Sequence, residues 1–152
     1  MRDNHFIDEL CTIHMELWYE THRRVRMWKF IQETGELLDP EGYYTAHGYS
    51  GGNGGKSPEG VNNPEMQNVK NVGPIPRGFY TFGEVVLKSH LGPYAIPLIP
   101  DKDNEMFGRS GFYCHGDRVT PPNSASDGCI IMPRDIRVKM YESKDHILEV
   151  VA

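Results

Sequence analysis

The chain has 152 residues, a net charge of −5 at pH 7, and 38% hydrophobic residues. This length suits one domain, and the apolar content excludes wholesale disorder. The acidic balance argues against general nucleic-acid binding, and no apolar run approaches the roughly 18 residues of a membrane span. The first residues, MRDNHFIDEL, carry charges where a signal peptide needs an apolar stretch. We therefore expect synthesis in the cytoplasm without a signal peptide.

The N-terminal segment differs from the remainder of the chain, because all 16 glycines and 11 prolines lie between Gly35 and Pro133. Before this region, apolar residues recur at helical spacing, at Phe6, Leu10 and Leu17. This spacing predicts an amphipathic helix over residues 5–24. The sequence thus divides into a helical N-terminal extension, 1–26, and a domain, 27–152.

From residue 27 onward the pattern predicts a mainly β fold, because short apolar segments alternate with turn residues. The predicted strands are 27–32, 43–50, 79–88, 94–99, 112–115, 129–132 and 147–151. A polar turn over 33–42 separates the first two strands, and Pro97 places its strand at a sheet edge or a bulge. A short helix is predicted over 134–141. Residues 48–60 hold six glycines and predict a long surface loop.

A possible cysteine–histidine pair lies between residues 112 and 133, in the segment FYCHGDRVTPPNSASDGCIIMP. A nucleophilic thiol needs a base within hydrogen-bond reach. Two adjacent strands joined by a loop would bring His115 to Cys129. Gly128 permits a sharp turn before the thiol, and the N–H groups of Asp127, Gly128 and Cys129 are candidates for an oxyanion hole.

The residues alone leave alternatives open for these side chains. Either Asp117 or a backbone carbonyl near Gly116 would orient the imidazole of His115. A cysteine that opens an apolar strand also fits a buried core position, and Cys114 is expected to face the core. Zinc bound by Cys114, His115, Asp117 and Cys129 lacks the paired spacing of known sites, so no metal site is predicted. With Cys11, the chain holds three cysteines, too few for a disulfide framework.

Several segments in order resemble a known family. The segment from His115-Gly-Asp to Ser126-Asp-Gly-Cys129-Ile resembles the active-site signature of L,D-transpeptidases. More widely, residues 27–152 resemble the type VI secretion L,D-transpeptidase effector family. The matching strings are WKF, TGEL, GYSGG, NNP, NVGPIPRGFY, GPY, NEMFGRSGF and SDGCIIMP. Residues 1–26 lie outside this resemblance.

The resemblance implies an L,D-transpeptidase-like β-sandwich with a catalytic cysteine and no cofactor. By motif position, Cys129 is the nucleophile and His115 its general base, with Gly128 and the Cys129 N–H in the oxyanion hole. Ser126 stands at the expected position. Asp127 replaces a histidine of many L,D-transpeptidases, and Ile131 replaces an Asn or Arg.

The implied substrate is the stem tetrapeptide of peptidoglycan, cleaved through a cysteine acyl-enzyme. Water as acceptor gives L,D-carboxypeptidase activity, whereas an amine gives D-amino-acid exchange or cross-linking. The resemblance also implies a secretion apparatus, action in the periplasm of a target cell, and a cognate immunity protein. The alternatives are a phage or prophage cell-wall enzyme, a non-catalytic wall-binding module, and a cysteine peptidase that cleaves proteins.

Stem peptides carry carboxylates, which guanidinium groups bind well. The candidate substrate contacts are therefore Arg109, Arg118, Arg134 and Arg137. Tyr49 and Ser50 are expected to line the cleft, and the glycine-rich loop is a candidate lid.

Overall fold

The computed structural model of the protein describes residues 12–14 and 25–152. Within these residues the fold is mainly β, as predicted. The strands are β1 (Trp28–Ile31), β2 (Glu36–Leu38), β3 (Tyr44–His47), β4 (Tyr49–Ser50), β5 (Gly78–Phe82), β6 (Ile96–Pro100), β7 (Tyr113–His115), β8 (Ile130–Ile131) and β9 (Ile147–Val151). Helix α1 spans Arg134–Glu142, and short 3₁₀ turns occupy Pro58–Gly60 and Pro64–Met66.

The described strands form one hydrogen-bonded series in the order β3-β2-β1-β9-β5-β6-β7-β8-β4. Two neighbouring pairs are parallel, β1 with β9 and β7 with β8, and the others are antiparallel. The last strand in sequence, β9, therefore lies inside the sheet between β1 and β5. The parallel pair β7–β8 positions the candidate site described below.

The strand that contains Pro97 is not an edge strand, so the edge prediction is wrong. β6 pairs with β5 through residues 98–100 and with β7 through residues 96–97. Pro97 has no N–H to donate, but its carbonyl accepts from the Gly83 N–H at 2.9 Å. The next residue, Leu98, donates its N–H to the Phe112 carbonyl at 2.9 Å. Proline is accommodated where the strand changes its partner.

The described strands share a hydrophobic core that includes residues from β1 to β9. Side chains alternate along β1, which buries Trp28 and Phe30 while Lys29 and Ile31 are half-buried. The same cluster contains Leu148 of β9, Cys114 of β7 and Ile130 of β8. Cys114 is a core residue, as the sequence predicts, and its thiol is free.

Several element boundaries differ from the sequence prediction. Strand β2 lies inside the segment 33–42 that was predicted to be a polar turn. Strand β5 ends at Phe82, not at residue 88, and beyond it only an isolated bridge joins Val86 to Ala95. The predictions for α1 and β9 are confirmed.

The predicted N-terminal helix lies mostly outside the described residues; residues 12–14 are helical. The boundary between residues 26 and 27 stays a prediction. No helix in the described part of the chain has both the length and the apolar character needed to span a membrane.

Candidate active site

The parallel pair β7–β8 places His115 and Cys129 on the same face. Cys114 is in register with Ile130, and His115 with Ile131. Because Cys114 and Ile130 are fully buried in the core, the alternate side chains at His115 and Cys129 project from the other face. Both residues line one cavity of about 300 Å³, the Cys129 cavity. Diagonal neighbours on adjacent strands lie about 7–8 Å apart, a separation that an imidazole spans.

The thiol of Cys129 is half-buried and accepts a hydrogen bond from the backbone N–H of Tyr113, with N and Sγ 3.3 Å apart. Burial raises the pKa of this thiol to about 11, and the Asp127 carboxylate adds to the rise. The Tyr113 N–H and the Arg109 guanidinium oppose it because they stabilise the thiolate. Cys129 is therefore a neutral thiol at neutral pH.

The imidazole of His115 is 3% exposed, and its Nδ1 lies 2.9 Å from the Gly116 carbonyl oxygen. A carbonyl can only accept, so Nδ1 carries the proton and Nε2 keeps a free lone pair. Burial lowers the pKa of His115 below its ordinary value, against the Gly116 hydrogen bond, which raises it. Among the described side chains no hydrogen bond joins this imidazole to Sγ of Cys129. Such base contacts often close only around substrate.

Asp117 contacts the loop between β7 and β8 and not the imidazole of His115. Its carboxylate accepts from the Tyr49 hydroxyl at 2.6 Å and from the N–H groups of Arg118 and Asn123. The Tyr49 hydroxyl in turn accepts from the Ala125 N–H at 3.1 Å. Asp117 and Tyr49 therefore fix the loop between β7 and β8. Of the two groups considered for orienting the imidazole, the Gly116 carbonyl makes the contact. Tyr49 borders a second cavity, of about 600 Å³, and its contact with a substrate stays a prediction.

The turn before Cys129 is organised by the hydroxyl of Ser126, which is 1% exposed. This oxygen accepts from the N–H groups of Gly51 at 2.8 Å and Gly128 at 3.0 Å. It donates to the Cys129 carbonyl at 2.6 Å. The Gly128 N–H, a predicted oxyanion-hole donor, is therefore engaged inside the turn.

Gly128 is required by geometry. Its φ of +143° is a conformation that residues with a side chain rarely adopt. A Cβ atom there would lie 2.6 Å from Nη2 of Arg109 and 2.9 Å from the Phe112 ring. A glycine thus lets the chain pass closely over Arg109 on its way to Cys129.

Arg109 is buried beneath this turn and also borders the Cys129 cavity. Its guanidinium donates to four backbone carbonyls, those of Gln67 at 2.5 Å, Pro74 at 2.7 Å, Gly73 at 3.0 Å and Asp127 at 3.2 Å. Both Nη atoms are engaged with backbone carbonyls, and the role of Arg109 as a substrate contact stays a prediction. Arg109 thereby ties the turn before Cys129 to the segment 67–74.

Ser50 is also part of the framework, not of the cavity wall. It is fully buried, donates to the Gly128 carbonyl at 2.7 Å and accepts from the Ile75 N–H at 2.8 Å. The glycine-rich loop after it is packed more closely than a surface lid would be. Gly51 and Gly60 are buried, and the Gly54 N–H donates to the Ser126 carbonyl at 3.1 Å.

The other candidate arginines lie away from Cys129. Arg134 and Arg137 border a separate cavity of about 600 Å³, and Arg118 is exposed. The sequence reasoning missed several walls of the Cys129 cavity, which are Lys70, Asn71, His90, Leu91, Ser110 and Tyr113. Asn71 had a signal, since it opens the string NVGPIPRGFY. His90 had none.

In the described part of the chain, no three side chains of His, Cys, Asp or Glu come together as a metal-ligand set. Cys114 faces the core while Cys129 and His115 face the cavity, so the four residues considered for zinc do not converge.

Comparison with solved structures shows the fold. "Structure of Bdellovibrio bacteriovorus Bd1075" aligns with a TM-score of 0.50 at 14% identity, over 82% of this chain and 47% of that one. "Structure of the Ldtfm-avibactam carbamoyl enzyme" aligns with a TM-score of 0.47 at 13% identity, over 84% of this chain and 49% of that one. The chain thus spans about half the length of each.

No curated protein matches the chain. A family does match: the Tlde1 domain covers residues 44–151. This range includes the turn before Cys129, the Cys129 cavity, helix α1 and all of the labelled strands except β1 and β2. Because the match covers well over half of the chain, the protein belongs to the Tlde1 domain family, the type VI secretion L,D-transpeptidase effectors.

Proposed function

We propose that the protein is a cysteine enzyme that cleaves and exchanges the terminal D-amino acid of peptidoglycan stem tetrapeptides. The observation that carries this proposal is the placement of Cys129 and His115 on one face, in one cavity. Membership in the Tlde1 domain family supports a peptidoglycan-modifying effector.

The chemistry follows from two neutral partners. The pKa of the Cys129 thiol lies above that of the His115 imidazole, so the resting pair is thiol and imidazole. As Sγ attacks the carbonyl carbon of the third stem residue, Nε2 of His115 takes the thiol proton. The Cys129 N–H stabilises the oxyanion. The C–N bond then breaks, the imidazolium protonates the leaving D-alanine amine, and a thioester remains.

The thioester is resolved by an acceptor that attacks the same carbonyl carbon. Water, deprotonated by the neutral imidazole, releases a tripeptide and restores the thiol. The amine of a free D-amino acid gives exchange, and the amine of another stem peptide gives a cross-link. One site thus supports both carboxypeptidase and transpeptidase outcomes.

Delivery and partners belong to the same proposal. A type VI secretion apparatus carries the enzyme to the periplasm of a neighbouring cell, where it acts as a toxin on the wall. The producing cell is protected by an immunity protein that covers the Cys129 cavity. A phage or prophage origin would use the same chemistry.

The experiment is digestion of purified muropeptides by the wild type, Cys129→Ala and Cys114→Ala. We expect the wild type and Cys114→Ala to convert tetrapeptides to tripeptides, and Cys129→Ala to leave them intact. Cys114→Ala is the matched control because Cys114 is buried in the core, outside the cavity. Persistence of tetrapeptides with all three proteins would instead indicate a wall-binding module.

A second comparison separates this activity from protein cleavage. An all-L tetrapeptide of the same length is offered beside the stem tetrapeptide. Preference for the stem tetrapeptide supports the proposal, whereas preference for the all-L peptide indicates an ordinary cysteine peptidase. His115→Gln should lower the rate by about 10²- to 10⁴-fold, the usual contribution of a general base.

A further inference from the structure

A buried arginine without a partner anion lies outside the Cys129 cavity. Arg137, on helix α1, is 3% exposed, and its Nε and Nη1 have no hydrogen-bond partner within the described chain. Its remaining contact is a long one, from Nη2 to the Pro93 carbonyl at 3.5 Å. No carboxylate of the described residues pairs with it. A buried, unpaired charge is costly, so this arrangement is incomplete without an anion.

Arg137 forms part of the wall of a cavity of about 600 Å³, the Arg137 cavity. It lies at the opposite end of the β7–β8 pair from the Cys129 cavity, beyond His115 and Ile131. Gly116 makes room for the guanidinium, because a Cβ at this position would lie 3.0 Å from Nη1 of Arg137. The volume is sufficient for a small molecule or the end of a peptide.

Two further features of this wall favour a negative charge. Arg134 borders the same cavity and adds a second guanidinium. Helix α1 begins there, and Pro133 before it gives no side-chain cap to the first N–H groups. Uncapped N–H groups at the start of a nine-residue helix attract anions.

One acidic side chain in the lining limits the charge of the ligand. Asp117 borders the cavity, but its oxygens already accept from Tyr49, Arg118 and Asn123. Its negative charge disfavours a dianion such as phosphate and tolerates a monoanion. The remaining lining includes apolar surface at Val61, Ile131 and Met132.

We propose that the Arg137 cavity is a binding site for a carboxylate-bearing small molecule or peptide end. The carboxylate accepts hydrogen bonds from Arg137 and Arg134 and lies at the start of helix α1. The site is separate from the chemistry at Cys129 and does not depend on it. A free small acid and the carboxyl end of a peptide both present a carboxylate. The peptide end also carries an amide next to it, which a simple acid lacks.

The test is an NMR titration of the full chain with sodium acetate, at constant ionic strength maintained with chloride. The Nε–Hε signal of Arg137 and the backbone amides of Arg134 and Asp135 should shift and saturate. N-acetylglycine is the second probe: tighter binding than acetate identifies a peptide end, and equal binding a simple acid. Inorganic phosphate is the third, and saturation by phosphate without acetate binding would overturn the proposal.

Variants locate the site. Arg137→Gln should abolish the saturable shifts, and Arg134→Gln should weaken acetate about three- to tenfold, the factor of one hydrogen bond. Arg77→Gln, an exposed arginine elsewhere, is the matched control and should bind acetate normally. If Arg137→Gln does not fold, the Nε–Hε signal of Arg137 in the wild type still tests the proposal. A signal that does not shift during the acetate titration refutes the site. Cys129→Ala should bind acetate as the wild type does, so failure here and failure of the enzymatic proposal are distinguishable.

Discussion

Replacing Ser126 with alanine tests whether one hydroxyl holds the turn before Cys129 together. The change removes a single oxygen atom from a side chain that is 1% exposed. Three hydrogen bonds are lost with it, from the Gly51 N–H, from the Gly128 N–H, and to the Cys129 carbonyl. The backbone groups left behind are buried in the turn, where water does not easily replace the hydroxyl.

The expected loss follows from the number of bonds. Each hydrogen bond contributes about 0.5–1.5 kcal/mol net, so three give about 3 kcal/mol of lost unfolding free energy. For a chain of this size that corresponds to a fall in Tm of about 6–12 °C. Ser124→Ala is the matched control, because Ser124 is 4% exposed and its hydroxyl makes one bond, to the Pro121 carbonyl at 2.6 Å. Its loss should be about 1 kcal/mol.

The assay is urea unfolding followed by tryptophan fluorescence, with the midpoint and slope compared among the three proteins. Tetrapeptide cleavage should also fall in Ser126→Ala and not in Ser124→Ala, because the turn carries Cys129. Equal stability losses in the two variants, or a loss below about 1 kcal/mol in Ser126→Ala, would refute the reasoning from the hydrogen-bond count.

Two other predictions concern the same turn. Arg109→Lys should lower the free energy of unfolding by about 2–4 kcal/mol, measured by thermal or urea unfolding. This is the contribution of one or two charge-assisted hydrogen bonds, which are lost because an ammonium group cannot donate to all four carbonyls. Arg77→Lys, at an exposed position, should leave the free energy of unfolding unchanged. Equal losses in the two variants would contradict the role of Arg109 in holding this turn. Alkylation of Cys129 by iodoacetamide should accelerate with pH up to about 11, where burial sets the pKa of its thiol. The rate of tetrapeptide cleavage should fall as acid protonates His115, at a pH below the ordinary pKa of histidine, because burial lowers the pKa of this imidazole. A plateau in the alkylation rate between pH 6 and 8 would instead indicate a preformed thiolate.

Local patterns were sufficient to predict some elements and not others. The alternating segment over residues 147–151 and the helical spacing over 134–141 match β9 and α1 closely, because each pattern agrees with the burial it meets. Strand β2 has three residues in a polar context and is formed by pairing with β1 and β3. Its residues alone carry no such signal. Similarly, Pro97 predicts an edge or a bulge, and the change of partner within β6 accommodates the proline inside the sheet.

The candidate site shows a similar division. The types and order of residues from 112 to 133 were enough to single out Cys129 and His115, and the strand register places them together. The framework contacts of Arg109 and Ser50 could not be predicted, because their acceptors are backbone carbonyls distant in sequence. A sequence shows that a side chain can donate. Which acceptor it meets depends on the tertiary fold.

The position of β9 inside the sheet has a consequence for synthesis. Trp28 pairs with Leu148, and Gly78 pairs with Val150, so both neighbours of β9 await residues near the C-terminal end of the described chain. While the ribosome makes the earlier part of the chain, β1 and β5 each lack the partner strand that lies between them. Pairings so distant in sequence form slowly. The nascent protein therefore exposes two open sheet edges until β9 emerges, and unpaired edges of this kind are sites of aggregation.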